Sequence, residues 1–334
     1  MISIGALATR PLFGLPLAEL WFALLFFIFG MFLFLDGFDF GVGILFATRD
    51  NDHEKEQLLA AVGPFWDGNE VWLVVFGGTL FAAFPSVYAN LFSRYYLLMF
   101  AILAALGLRG LAPEMYEERE DSRWQTLWGY SFVIGSTVTP FLLGLFVMNW
   151  LVGTTGLITP VGFLGGVTVL ALTIVDGAAF LGLKTRGALR DEMRNYGIQA
   201  AVSYLGITII TLGTIYAAEP GLRSSFRSPT VVALVILTAT LTGIYAVALR
   251  RRRYYAAFAA TATLVFGLVG LVATLLYPFM DRTAGLTVRE AIISTLPLNL
   301  MSIMASVLLP IVLGYFVVLY SAFSGPVDTE ETYG

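Results

Sequence analysis

Nine long apolar stretches, joined by short connections that carry nearly all the charge, constrain this chain more than any other feature. They run at 17–46, 68–89, 91–112, 126–151, 161–184, 196–218, 229–249, 254–278 and 294–323. A bilayer core about 30 Å thick is crossed by about 20 mostly apolar residues in a helix, against about ten in a tilted strand. Inside lipid every backbone N–H and C=O must be bonded within the structure, so apolar runs of this length fold as helices. Charged residues make up only 13% of the chain, about half the share that covers a soluble domain. The fold class is therefore an all-α integral membrane protein of about nine transmembrane helices. Residues 1–324 read as one polytopic domain and 325–334 as a disordered acidic tail. After Arg10 the first apolar stretch is too long and too aromatic for a cleavable leader, and is expected to stay as the first spanning helix.

Basic residues orient the helices. Thirteen (Arg49, Lys55, Arg109, Arg119, Arg123, Lys184, Arg186, Arg190, Arg194 and Arg250 to Arg253) follow odd-numbered stretches. Six (Arg10, Arg94, Arg223, Arg227, Arg282 and Arg289) fall on the other side. The positive-inside rule then sets the N-terminus outside and the C-terminus in the cytoplasm, with Arg250 to Arg253 as the strongest topological anchor. A short echo links Leu35-Asp36-Gly37-Phe38-Asp39-Phe40-Gly41 to Val175-Asp176-Gly177-Ala178-Ala179-Phe180-Leu181-Gly182, 140 residues later. Duplicated helix sets are common in membrane proteins. The expected architecture is two four-helix bundles, a pseudo-repeat of 17–151 and 161–278, plus a final helix at 294–323.

Composition also excludes classes of chemistry. With no cysteine there is no disulfide, thiolate-held cluster or thioether-linked haem. The one histidine, His53, sits in a charged stretch and reads as a solvated loop residue rather than an axial ligand. The nine methionines are spread through apolar helices, as packing filler is. No metal-ligand spacing, nucleotide-binding loop or nucleophilic triad is present. Nor is there a basic surface interleaved with aromatics for nucleic acid.

Chemistry is concentrated in carboxylates. An ionised group in a spanning helix costs about 2.5–3.5 kcal/mol even on the lenient scale. Asp36 and Asp39 lie in the first stretch, three residues apart and so on one helical face, flanked by Gly37, Gly41 and Gly43. Two carboxylates this close in low dielectric do not both ionise easily, which suits a proton relay; the other reading is helix-packing glue. A second group, Trp66-Asp67-Gly68-Asn69-Glu70-Val71-Trp72, opens the second stretch and sets Asp67 and Glu70 at a similar depth. Asp67 also suits a helix N-cap, and the tryptophans suit interface anchors. Taken together, the four carboxylates point to an entry for protons or cations.

Both segments, Asp36-Gly37-Phe38-Asp39-Phe40-Gly41-Val42-Gly43 and Trp66-Asp67-Gly68-Asn69-Glu70-Val71-Trp72-Leu73, resemble the signature stretches of subunit II of cytochrome bd-type quinol oxidases. The resemblance continues through 77–85, 109–118, 177–185 and 310–315. It implies a haem-free subunit of a prokaryotic plasma-membrane enzyme that oxidises quinol and reduces dioxygen to water. The partner, subunit I, holds haem b, haem d and the quinol site; small accessory subunits are left open. Asp67, with Asp36 and Asp39, maps onto a proton path from the cytoplasm. Trp66 and Arg109 map onto a structural quinone found in some members. Asp176 departs from the family pattern and its role is open. A proton- or cation-coupled secondary transporter and a non-conducting scaffold are the competing readings.

Overall fold

The computed structural model describes residues 8–327. Helix α1 (Leu17–Phe46) is followed by α2 (Asp52–Val62), α3 (Trp66–Ala83), α4 (Pro85–Arg94) and α5 (Tyr96–Glu117). Then come α6 (Ser122–Val152), α7 (Pro160–Lys184), α8 (Gly187–Ala218), α9 (Pro229–Arg250) and α10 (Tyr254–Leu276). A two-stranded antiparallel hairpin, β1 (Phe279–Asp281) and β2 (Leu286–Thr287), leads to α11 (Thr295–Ala322). Eight of these helices, all but α2, α3 and α4, are long and apolar enough to span a bilayer.

Helix starts follow local chemistry. Asp121 accepts from Trp124 N at 2.9 Å to cap α6, and Thr159 accepts from Gly162 N at 3.0 Å to cap α7. Each supplies an acceptor to an amide that the helix itself leaves unpaired. Proline occupies the first position of α7 and α9, where its missing N–H costs nothing.

Three expectations are corrected. The stretch at 68–89 is not one helix: it breaks at Phe84, because Pro85 has no N–H to continue the α3 ladder and instead starts α4. Helix α5 accordingly runs five residues later than the stretch at 91–112 and encloses Arg109, which is a buried intrahelical residue rather than a loop charge. The charged segment around His53 is an amphipathic helix, α2, capped by Asn51, with His53 exposed in its first turn. Val327 N, at the last described residue, donates to Lys184 O at 2.9 Å. Residues 328–334 lie outside the described residues.

Helix α1 is central and packs on α3, α6, α7 and α10, while α7 packs on α1, α6, α8 and α10. The α1–α7 crossing is set by two glycines. A Cβ on Gly41 would lie 2.0 Å from Thr173 O, and one on Gly177 would lie 2.5 Å from Gly41 C. Only bare backbones approach this closely. Helix α11 is peripheral: 6% of its apolar stretch is buried, against 78% for α7. It is held at its ends, where Trp21 Nε1 donates to Ser302 Oγ at 2.8 Å and Tyr320 OH donates to Asn69 Oδ1 at 2.8 Å.

Candidate functional site

The site lies toward the end of the bundle where α1, α5 and α7 finish. Asp36 is ten residues from the end of α1 and Arg109 eight from the end of α5, so at 1.5 Å per residue both sit about 12–15 Å in. Asp36, Asp39 and Asn69 are fully buried and Arg109 is 1% exposed.

One guanidinium organises the group. Arg109 Nη2 donates to Asp36 Oδ1 at 2.6 Å and pairs with Asp39 Oδ2 at 3.3 Å, while Nη1 donates to Glu70 Oε2 at 3.2 Å. Its face lies over the rings of Phe40 and Trp66, at 5.0 and 5.8 Å. The guanidinium's planar fork lets it bind several carboxylates at once, and it does not give up its proton. Its approach requires Gly135 of α6, where a Cβ would lie 2.6 Å from Arg109 Cβ and 2.7 Å from Ala105 O.

Asp39 is held a second time. Asn69 Nδ2 donates to Asp39 Oδ2 at 2.9 Å and to Leu35 O at 3.1 Å, and Tyr320 fixes the amide from the other side. Two oxygens of the pair, Asp36 Oδ2 and Asp39 Oδ1, have no hydrogen-bond partner among the described residues. With one guanidinium facing two fully buried carboxylates, the site suits carboxyl groups that hold and release protons.

The structure brings Asp36, Asp39 and Glu70 together as their spacing predicts, but not Asp67. Asp67 is exposed in the first turn of α3, one turn out from Glu70, and it is not the N-cap: Phe65 occupies that position. Its carboxylate there favours the helix start through the macrodipole. Exposure falls stepwise along this face, from Asp67 to Glu70, whose side chain is 30% exposed, to the buried aspartates. Trp66 is half-buried, its ring edge 3.2 Å from where a Cβ on Gly110 would lie. Arg109, mapped by the resemblance near a structural quinone, is buried here and turns both Nη atoms toward carboxylates, with the Trp66 ring beside it.

Asp176 lies across the α1–α7 crossing. Thr261 Oγ1 donates to its Oδ1 at 2.6 Å, and its Oδ2 has no hydrogen-bond partner among the described residues. Among the described residues no cluster of three or more histidine, cysteine, aspartate or glutamate side chains is arranged to hold a metal ion. Sequence reasoning missed three contributors. Asn69 stood within a quoted motif but without a role; Tyr320 and Gly135 carried no local signal.

Comparisons with known proteins agree with this architecture. The family model described as cytochrome bd terminal oxidase subunit II matches residues 17–323. The chain is 32% identical to cytochrome bd ubiquinol oxidase subunit 2 of Bacillus subtilis, over 94% of this chain and 98% of that protein. It is 30% identical to cytochrome bd-I ubiquinol oxidase subunit 2 of Escherichia coli K12, over 89% of this chain and 91% of that protein. The solved structure of bd oxidase from Geobacillus thermodenitrificans superposes with a TM-score of 0.76 at 17% identity, covering 92% of this chain and 99% of that one. At that identity the likeness speaks for the fold.

Proposed function

Because this chain belongs to the cytochrome bd terminal oxidase subunit II family, we propose that it is the haem-free subunit of a quinol:dioxygen oxidoreductase and supplies a proton path. Its relatives are named as subunits of ubiquinol oxidases. A haem-bearing subunit I is the expected partner, with quinol and dioxygen as substrates of the complex. When bound there, the haems supply the electron transfer and oxygen reduction. The donor set favours that division of labour, since the only histidine of this chain is exposed on α2.

The observation that carries the proton path is the convergence of Glu70, Asp36 and Asp39 on Arg109, with Asp67 exposed one turn further out on α3. Asp67 is the exposed entrance and Glu70 the half-sheltered step. Asp36 and Asp39 are the buried acceptors, and Glu70 and Asp36 share one guanidinium. Arg109 stays charged and acts as a fixed counter-charge that keeps the acids in register. Asn69 and Tyr320 orient Asp39. The distribution of basic residues supports a cytoplasmic entrance, an outside N-terminus and a cytoplasmic C-terminus. A ninth span would be formed by α3 with α4. A duplicated origin fits the packing, since α1 on α3, α6 and α10 has its counterpart in α7 on α8, α10 and α6.

The test has two stages. Purification through a tag on this chain should bring down a second, haem-bearing membrane chain with haem b and d bands. A colourless single chain from membranes that express the partner would overturn the oxidase reading in favour of a transporter. In the complex, Asp67→Asn, Glu70→Gln and, to a smaller degree, Asp36→Asn should slow oxygen reduction with haem content unchanged, by up to about 10²-fold for a failed relay. Full turnover in all three variants would refute the path and leave the carboxylates as helix glue.

A further inference from the structure

Away from the carboxylate site, α8 and α9 enclose a polar cleft at the same end of the bundle. Its volume is about 580 Å³, and Arg194, Asn195, Ile198, Gln199, Arg250 and Arg252 line it. Three guanidiniums and two side-chain amides give it a dense set of donors. Among the described residues, the carboxylate paired with these arginines is Asp191, 2.8 Å from Arg194 Nη1 and 3.5 Å from Arg252 Nη2. Arg250 is exposed at the last position of α9. The cleft thus has an excess of positive charge.

The backbone is bent to build it. Arg252 has φ +57, in the left-handed region that usually falls to glycine, and Arg253 N donates to Ala248 O at 2.8 Å to close the end of α9. A side chain at that position is disfavoured, yet the turn carries Arg252 back toward Asp191 on α8.

Beyond the cleft, the exposed faces of α8 and α9 are mainly apolar. On α8 the face of Asn195 and Gln199 continues through Val202, Gly206 and Ile209; on α9 that of Arg250 continues through Val247, Gly243 and Ile236. Val202, Ile209 and Ile236 are each more than 60% exposed. Nothing lies within 4 Å of where a Cβ on Gly206 or Gly243 would stand. A cationic, amide-rich cleft at the helix ends, beside exposed apolar helix faces, matches a ligand with an anionic head and hydrocarbon tails.

We propose that this cleft is a binding site for an anionic phospholipid, with the headgroup phosphodiester held by Arg194, Arg250 and Arg252 and the acyl chains laid along the exposed helix faces that carry Gly206 and Gly243. Basic pockets between spanning helices bind anionic headgroups in this way. Arg250 to Arg253 would then do more than anchor topology.

The intact, delipidated complex is to be titrated with phosphatidylglycerol, phosphatidylcholine and sn-glycerol 3-phosphate, with bound species counted by native mass spectrometry. Phosphatidylglycerol should be retained in preference to phosphatidylcholine. The R250Q/R252Q variant should lose roughly thirtyfold in phosphatidylglycerol affinity while retaining haem content and turnover. Gly206→Leu, which adds a side chain to the exposed α8 face and leaves every arginine in place, should weaken the lipid but not glycerol phosphate. Equal retention of the two lipids, an unchanged R250Q/R252Q variant, or glycerol phosphate binding as tightly as the lipid would overturn the proposal.

Discussion

Replacing Arg109 by glutamine removes the one cation at the centre of the carboxylate group while keeping much of its volume. The cost follows from what is left behind. Asp36 and Asp39 are fully buried and lose contacts at 2.6 and 3.3 Å. Breaking a buried pair by removing one partner costs about 3–5 kcal/mol. Glu70, 30% exposed, adds at most about 1 kcal/mol because water screens that contact. We expect Arg109→Gln to destabilise the chain by about 3–5 kcal/mol, since protonation of the stranded carboxylates caps the loss. Asp36→Asn in the same chain should recover part of it, with a coupling energy of about 1.5–3 kcal/mol, whereas Glu70→Gln should couple by less than about 1 kcal/mol. The assay is reversible unfolding in mixed detergent–SDS micelles, followed by tryptophan fluorescence. Stability within about 0.5 kcal/mol of the parent, or strict additivity with Asp36→Asn, would refute the view that one guanidinium holds the site together.

Other outcomes follow from single contacts. Tyr320→Phe should cost about 1 kcal/mol, the net worth of its bond to Asn69, and should slow turnover if Asp39 needs that orientation; stability equal to the parent would contradict the contact. Gly177→Ala puts a methyl where Gly41 backbone atoms lie 2.5–2.6 Å away and should cost about 1–3 kcal/mol or more, whereas Gly213→Ala, with open space around it, should be neutral or slightly stabilising; comparing the heat-stability of the two variants decides it. At the opposite end, buried Asp281 accepts two bonds from Arg94, both 3.2 Å, and two from the hairpin amides of Thr283 and Ala284. Asp281→Ala should therefore expose residues 277–290 to limited proteolysis at a site protected in the parent.

Much of the membrane architecture is legible from apolar run length, because solvation by lipid imposes both length and helix formation. Where prediction slipped, backbone chemistry competed with hydropathy: Phe84-Pro85 interrupts an apolar stretch that hydropathy alone joins, and the charged residues 52–62 satisfy a helix by capping and amphipathicity. The carboxylate pairs were legible for a different reason. An aspartate in an apolar run is expensive enough to stand out, and spacing by three sets Asp36 beside Asp39 on one face. Asp67 shared that spacing with Glu70 but stands exposed, since position within the helix's first turn, not residue type, decides how far a side chain is covered.

What the sequence by itself determined is the solvent this chain lives in, the helices that follow, and the presence of acids that no lipid-facing helix would carry. Those are local properties, set by composition and spacing within one or two turns. Only the tertiary structure decided which cation the acids share. Arg109 stands 73 residues from Asp36, and Tyr320 stands 251 from Asn69. Their meeting depends on Gly135 and on the Gly41–Gly177 crossing to bring backbones within reach. Contacts at such separations carry no periodic trace along the chain; they exist because close packing leaves a buried charge one place to find its partner.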